Sequence, residues 1–148
     1  MSLEELTSSA IELLKSLIAT PSFSEQEDQT AELIEAWLKK YGVKTRREGN
    51  SVIAVNKHED PSKPYFLLNS HHDTVRPNKA YTKDPFAPEV LDGKLYGLGS
   101  NDAGGPLVSL MATFVHFYNR SDLPYNLMMV ASAEEETAGK NSLRGILP

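Results

Sequence analysis

The chain has 148 residues, enough for one ordinary domain with a hydrophobic core, and its 40% apolar and 24% charged content excludes a disordered chain as the default. A net charge of −5, with no basic cluster beyond Lys39-Lys40 and Arg46-Arg47, excludes an electrostatic footprint for nucleic acid. There are no cysteines, which excludes disulfides and thiolate metal sites and leaves His, Asp and Glu to hold any metal. The amino terminus lacks a basic, apolar leader and no window reaches the length of a membrane span, so a cytoplasmic protein without membrane contact is expected.

In chain order, Leu6, Ile11, Leu14, Leu17 and Ile18 recur at helical spacing, with a stop at Thr20-Pro21-Ser22. Ser24 followed by Glu27 has capping-box spacing. It precedes a second helix from Thr30 to Tyr41 with Ala31, Ile34, Trp37 and Leu38 on one face, and Trp37 is a core residue by this pattern. From Val43 the period changes: Val43 to Arg46 alternates, Glu48-Gly49-Asn50 turns, and Val52 to Val55 is a β-rich run. Tyr65 to Ser70 is apolar on both faces, as expected of a strand buried within a helix-covered sheet. Arg76 to Pro88, with its three prolines, predicts an irregular loop over a site, followed by a turn at Asp92-Gly93 and a short strand at Lys94-Leu95-Tyr96. A glycine-rich turn from Gly97 to Gly105 opens a helix over Pro106 to Tyr118 with Leu107, Leu110, Met111, Phe114 and Val115 buried. Leu127 to Ala131 is another two-sided apolar strand. Strands alternating with helices predict an α/β domain with a largely parallel central sheet and ligands at the strand carboxyl ends.

Three segments at such ends carry the chemistry. In His71-His72-Asp73 an extended backbone projects His71 and Asp73 to one side, where the carboxylate fixes the imidazole tautomer, as at many zinc sites. Asp102 sits among glycines just before a helix, a setting that suits either a bridging metal ligand or a helix cap. The Gly-x-Gly there lacks the Lys-Ser/Thr of a phosphate loop and the third glycine of a dinucleotide site. Glu134-Glu135-Glu136 follow a buried strand, where three adjacent carboxylates are costly unless solvent or cations offset their repulsion. One can hold metal while its neighbour moves a proton between water and a leaving amine. His58 and His116 are structural by context, and His72 points away from His71.

With these residues in place the chain resembles the amino-terminal part of the catalytic domain of the M20 family of metal-dependent amidohydrolases and peptidases. Acetylornithine deacetylase and succinyl-diaminopimelate desuccinylase are the members it most resembles. The resemblance rests on three motifs in order, Ser70 to Val75, Gly97 to Gly105 and Glu134 to Gly139. It implies a helix-sheet-helix, zinc-exopeptidase-like fold and two Zn²⁺ ions, with Co²⁺ as the alternative. By it His71 binds one metal, Asp102 bridges both, Asp73 orients His71, Glu135 is the general base and Glu136 a metal ligand; the register with Glu134 as base and Glu135 as ligand stays open. Leu98 and Gly104 stand where the family commonly has Arg and Lys.

Family members continue well beyond the third motif, so the resemblance implies that residues 1–148 are the first, metal-binding portion of a truncated catalytic domain. The remaining ligands and the lid and dimerisation domain are absent, and the chain is expected to be inactive by itself. The whole enzyme is expected to be a homodimer that hydrolyses a small N-acyl amino acid such as acetylornithine, in arginine biosynthesis. Two other readings stay open: a di-zinc aminopeptidase or dipeptidase, and a non-catalytic metal-binding or interaction fragment.

Overall fold

A computed structural model of the chain describes residues 2–146. Its elements are α1 (Leu3–Ile18), α2 (Asp28–Lys40), β1 (Thr45–Glu48), β2 (Ser51–Val55), β3 (Tyr65–His71), β4 (Glu89–Leu91), β5 (Lys94–Tyr96), α3 (Gly105–Phe117), β6 (Asn126–Ser132) and the short α4 (Leu143–Ile146). The α/β class expected from the alternation of periods is the one observed.

α1 opens with a capping box in which Ser2 accepts from the Glu5 amide and Glu5 accepts from the Ser2 amide. It buries Leu6, Ala10, Leu13, Leu14, Leu17 and Ile18. Ile11, placed on that stripe by spacing, is instead 44% exposed, because Ala10 and Leu13 take the inner positions. In α2 the expected face is buried and Trp37 belongs to the core, its indole donating to Ser9 Oγ at 3.0 Å. No side-chain cap bond forms at Glu27, the cap position, so the predicted Ser24–Glu27 capping box is absent. Both side chains are drawn instead to partners distant in sequence, described below. α3 buries Val108 in place of the expected Leu110, which is only partly buried.

The main sheet has the order β1-β2-β6-β3. Only β3 and β6 are parallel, and β1–β2 and β2–β6 are antiparallel, so the expectation of a largely parallel sheet is corrected for the described residues. The cause is local at one end: β1 and β2 are joined by the tight Gly49-Asn50 turn, which can only produce an antiparallel pair. β6 is buried along nearly its whole length, as its two apolar faces predict. β3 is not, with Tyr65 48% and Phe66 53% exposed, because it is the outer strand of this sheet. β4 and β5 form a separate hairpin across the Asp92-Gly93 turn, adding a strand that the sequence pattern does not predict. No helix among the described residues is long and apolar enough to cross a membrane.

Candidate metal centre

The parallel β3–β6 pair, in register from Tyr65↔Asn126 to His71↔Ser132, brings both carboxyl ends to one sheet edge. That register sets His71 beside the residues that follow Ser132. The imidazole Nδ1 lies 3.0 Å from the Asp73 carbonyl and 3.3 Å from Asp73 Oδ1. Nε2 lies 3.1 Å from Asp102 Oδ1 and 3.8 Å from Glu135 Oε2. Both ring nitrogens therefore face acceptors. The hydrogen bond to Asp73 is the main reason that the His71 pKa rises to about 9; burial opposes it and Asp102 adds to it.

Asp73 is fully buried. Besides His71 it accepts from Ser24 Oγ at 2.7 Å and from the amides of Glu135 and Glu136 at 3.1 Å each. Burial pushes its carboxyl up, but the hydrogen bonds from His71, Ser24 and the two amides together outweigh burial and hold it at about 2.

Asp102 rides on the glycine-rich turn. Gly97 and Gly99 have φ of 151° and 74°, and a Cβ at Gly97 would meet Ile18 Cγ2 at 2.2 Å, so the turn packs against α1 as only glycine allows. The Asp102–Ala103 peptide is cis. α3 starts later, at Gly105, with Gly104 at its cap position, so Asp102 does not cap the helix. Its side chain is 80% exposed, and the cap alternative open in the sequence falls away.

The glutamates divide. Glu134 has a left-handed backbone (φ 55°) and is 5% exposed, with its carboxylate turned inward onto the Asn141 amide at 3.2 Å and the Asn141 side-chain NH₂. Glu135 and Glu136 are exposed. Partial desolvation, then the neighbouring charge of Asp102, raises the Glu136 pKa. One ligand atom each from His71, Asp102 and Glu136 lies within 4.8 Å of the others. Nitrogen and carboxylate oxygen at that mutual spacing form a candidate metal site, and a borderline divalent cation fits the donor set.

The expected loop is present: residues 76–88 and the β4–β5 hairpin line a cleft, with Tyr81, Lys83, Pro85, Tyr96 and Leu98, that reaches Ser100 in the same turn as Asp102. His72 is buried and turned to the opposite side, where Nε2 donates to the Asn50 carbonyl at 3.1 Å and Nδ1 accepts from Thr30 Oγ1 at 2.9 Å. Burial lowers its pKa to about 4, so two adjacent histidines are shifted in opposite directions.

Sequence reasoning does not find Ser24, Glu27, Thr30 and Asn50, which surround this edge from below. The one signal they leave is the Ser24–Glu27 spacing ahead of a helix, which reads more simply as a cap.

The chain matches the model of peptidase family M20/M25/M40 over residues 67–147, which contain His71, Asp102 and the glutamates. It is 33% identical over 144 residues to acetylornithine deacetylase of Yersinia pseudotuberculosis serotype O:1b (strain IP 31758), covering 86% of this chain and 37% of that protein. It is 28% identical over 142 residues to succinyl-diaminopimelate desuccinylase 2 of Ruegeria sp. (strain TM1040), covering 93% of this chain and 36% of the relative. The chain thus spans little more than a third of the length of these curated relatives. The crystal structure of the Bacillus subtilis YXEP protein, a dinuclear metal-binding peptidase from the M20 family, superposes with a TM-score of 0.70 at 20% identity, covering 97% of this chain and 39% of that one. On the match across more than half of its length, the chain belongs to peptidase family M20/M25/M40.

Proposed function

We propose that this chain is the metal-binding first portion of the catalytic domain of a metal-dependent hydrolase that cleaves the amide bond of an N-acyl amino acid, of the acetylornithine deacetylase kind. The observation that carries the reading is the meeting of His71, Asp102 and Glu136 within 4.8 Å, with Glu135 beside them. The N-acyl amino acid class rests on the names of the curated relatives.

His71, Asp102 and Glu136 are the residues that would hold Zn²⁺, with Co²⁺ as the alternative, and the 80% exposed Asp102 side chain leaves room for the bridging role the resemblance implies. When bound, the metal pair supplies Lewis acidity for the amide carbonyl and for water. Asp73 keeps the His71 Nδ1 proton in place, so Nε2 is the nitrogen offered to a ligand. Glu135 accepts a proton from the attacking water as the water oxygen bonds to the carbonyl carbon, then returns that proton to the nitrogen as the C–N bond breaks, leaving a carboxylic acid and an amine that ionise to carboxylate and ammonium. Glu134, tied to Asn141, takes no part, which supports Glu135 as base and Glu136 as ligand over the register shifted by one. A polypeptide carrying the rest of the catalytic domain is expected to hydrolyse N-acetylornithine with Zn²⁺ present and to lose at least about 100-fold of kcat in Glu135→Gln. Zn²⁺-loaded protein with no turnover of N-acetylornithine or N-succinyl-diaminopimelate would contradict the reading.

A further inference from the structure

Glu27 is a fully buried carboxylate that the proposed hydrolysis does not use. It stands at the start of α2 without capping it. Its Oε1 accepts from the Glu25 amide at 2.9 Å and, across 107 residues of sequence, from the Glu134 amide at 3.1 Å. Its Oε2 accepts from Asn50 Nδ2 at 3.0 Å. Asn50 is itself fixed on both sides, its Oδ1 by Arg47 Nη2 at 2.9 Å and its carbonyl by His72 Nε2 at 3.1 Å. A buried carboxylate is retained at low cost only where its oxygens are hydrogen-bonded, and both oxygens of Glu27 are.

The consequence lies in the next two residues. Asp73 holds the amides of Glu135 and Glu136, so two buried carboxylates together grip three successive backbone N–H groups. Glu134 between them is left-handed, which reverses the chain and sends its own side chain inward while Glu135 and Glu136 face His71 and Asp102. Asp73, just past β3, fixes the amides of residues 135 and 136; the turn that presents them starts at 134, and the residue that holds its amide is Glu27.

We propose that Glu27 is a positioning residue of the metal centre, acting through the Glu134 amide to aim Glu135 and Glu136. The inference rests on the metal-centre reading above. In Glu27→Gln one carboxylate oxygen becomes an NH₂, which must oppose either the Asn50 NH₂ or the two amides. Asn50 cannot rotate to relieve this without releasing Arg47.

The test is Co²⁺ binding by calorimetry and visible absorption, with amide hydrogen exchange on the metal-free chain, for wild type, Glu27→Gln, His71→Ala and Ile34→Val. The last removes one methyl from the buried face of the same helix without touching the carboxylate. The inference predicts that Glu27→Gln weakens Co²⁺ about tenfold or more, alters the Co²⁺ spectrum and speeds exchange at Glu134, Glu135 and Glu136. Adding Asn50→Asp, which gives the new NH₂ and Arg47 a shared acceptor, restores all three signals. Ile34→Val leaves them at wild-type values. If Glu27→Gln does not fold, Asn50→Ala is read in its place with the same expectations. Wild-type Co²⁺ affinity in Glu27→Gln, or an equal loss in Ile34→Val, overturns the inference alone, provided that His71→Ala abolishes binding. Equal Co²⁺ uptake by wild type and His71→Ala, or none by either, overturns the metal-centre reading beneath it.

Discussion

Two layers meet at the β3–β6 sheet edge and differ in almost every physical respect. The lower layer, Ser24, Glu27, Thr30, His72 and Asp73, is mostly buried, and its polar atoms are closed on one another and on backbone. The upper layer, Asp102, Glu135 and Glu136, is exposed, and its carboxylates have few commitments. His71 is the joint: Nδ1 belongs to the lower layer and Nε2 to the upper. Such a site divides its work between the two layers. The buried groups, already hydrogen-bonded, supply rigidity, and the exposed carboxylates, with few partners, are the ones the proposed centre would use for a cation.

The sharpest way to break this division is to remove its buried side. Asp73→Ala strips acceptors from His71, Ser24 and two amides at once, and is expected to cost about 3–5 kcal/mol in metal-free stability, measured by urea unfolding. Asp102→Ala should do the reverse. Its exposed carboxylate leaves metal-free stability within about 0.5 kcal/mol of wild type, while calorimetric affinity for Zn²⁺ falls by more than about 100-fold.

The two histidines give a subtler contrast, in pH. His72, held at about 4 against an ordinary 6.5, binds fewer protons folded than unfolded; its contribution is complete above pH 6.5 and is lost as pH falls toward 4. His71, raised to about 9, contributes fully below pH 6.5 and loses that contribution as pH rises toward 9. Metal-free stability should therefore peak near pH 6.5, and His72→Gln should flatten the acid limb by up to about 1.4 kcal/mol per pH unit in denaturant titrations. An acid limb as steep in the variant as in wild type would assign it elsewhere. The smallest expected effect belongs to Glu134→Gln. Because Glu134 faces Asn141 and not the cluster, Zn²⁺ affinity should change by less than about threefold, whereas Glu136→Gln should weaken it by about tenfold or more. Zn²⁺ affinity near wild type in Glu136→Gln, with the loss appearing in Glu135→Gln instead, would shift the glutamate register by one.

The upper layer, with His72 and Asp73 beneath it, is legible in the sequence, and Ser24, Glu27 and Thr30 are not, for a physical reason. His71, Asp102 and the glutamates each follow an apolar run or a glycine turn, so local pattern alone delivers them to strand or helix ends. Ser24, Glu27 and Thr30 sit at the entry of a helix, where such residues ordinarily cap; the partners that tie them to this edge lie 23 to 107 residues away, beyond any local signal. The same limit separates the elements. α1, α3 and β6 follow from periodicity, but the exposure of β3 and the antiparallel placement of β2 against β6 depend on which strands become neighbours. Ile11 shows the limit within one helix: spacing marks it apolar, and packing against α3 decides that Ala10 and Leu13 go inside.

In the proposed centre the exposed layer would bind metal on the frame of the buried one. Anomalous diffraction at the zinc edge, from crystals of this chain soaked in Zn²⁺, tests it most directly. The expected result is a peak about 2.0–2.1 Å from His71 Nε2 and within carboxylate distance of Asp102 and Glu136, with the Asp73–His71 and Glu27–Glu134 contacts unchanged. A peak elsewhere, or none at that position in Zn²⁺-saturated crystals, would contradict it.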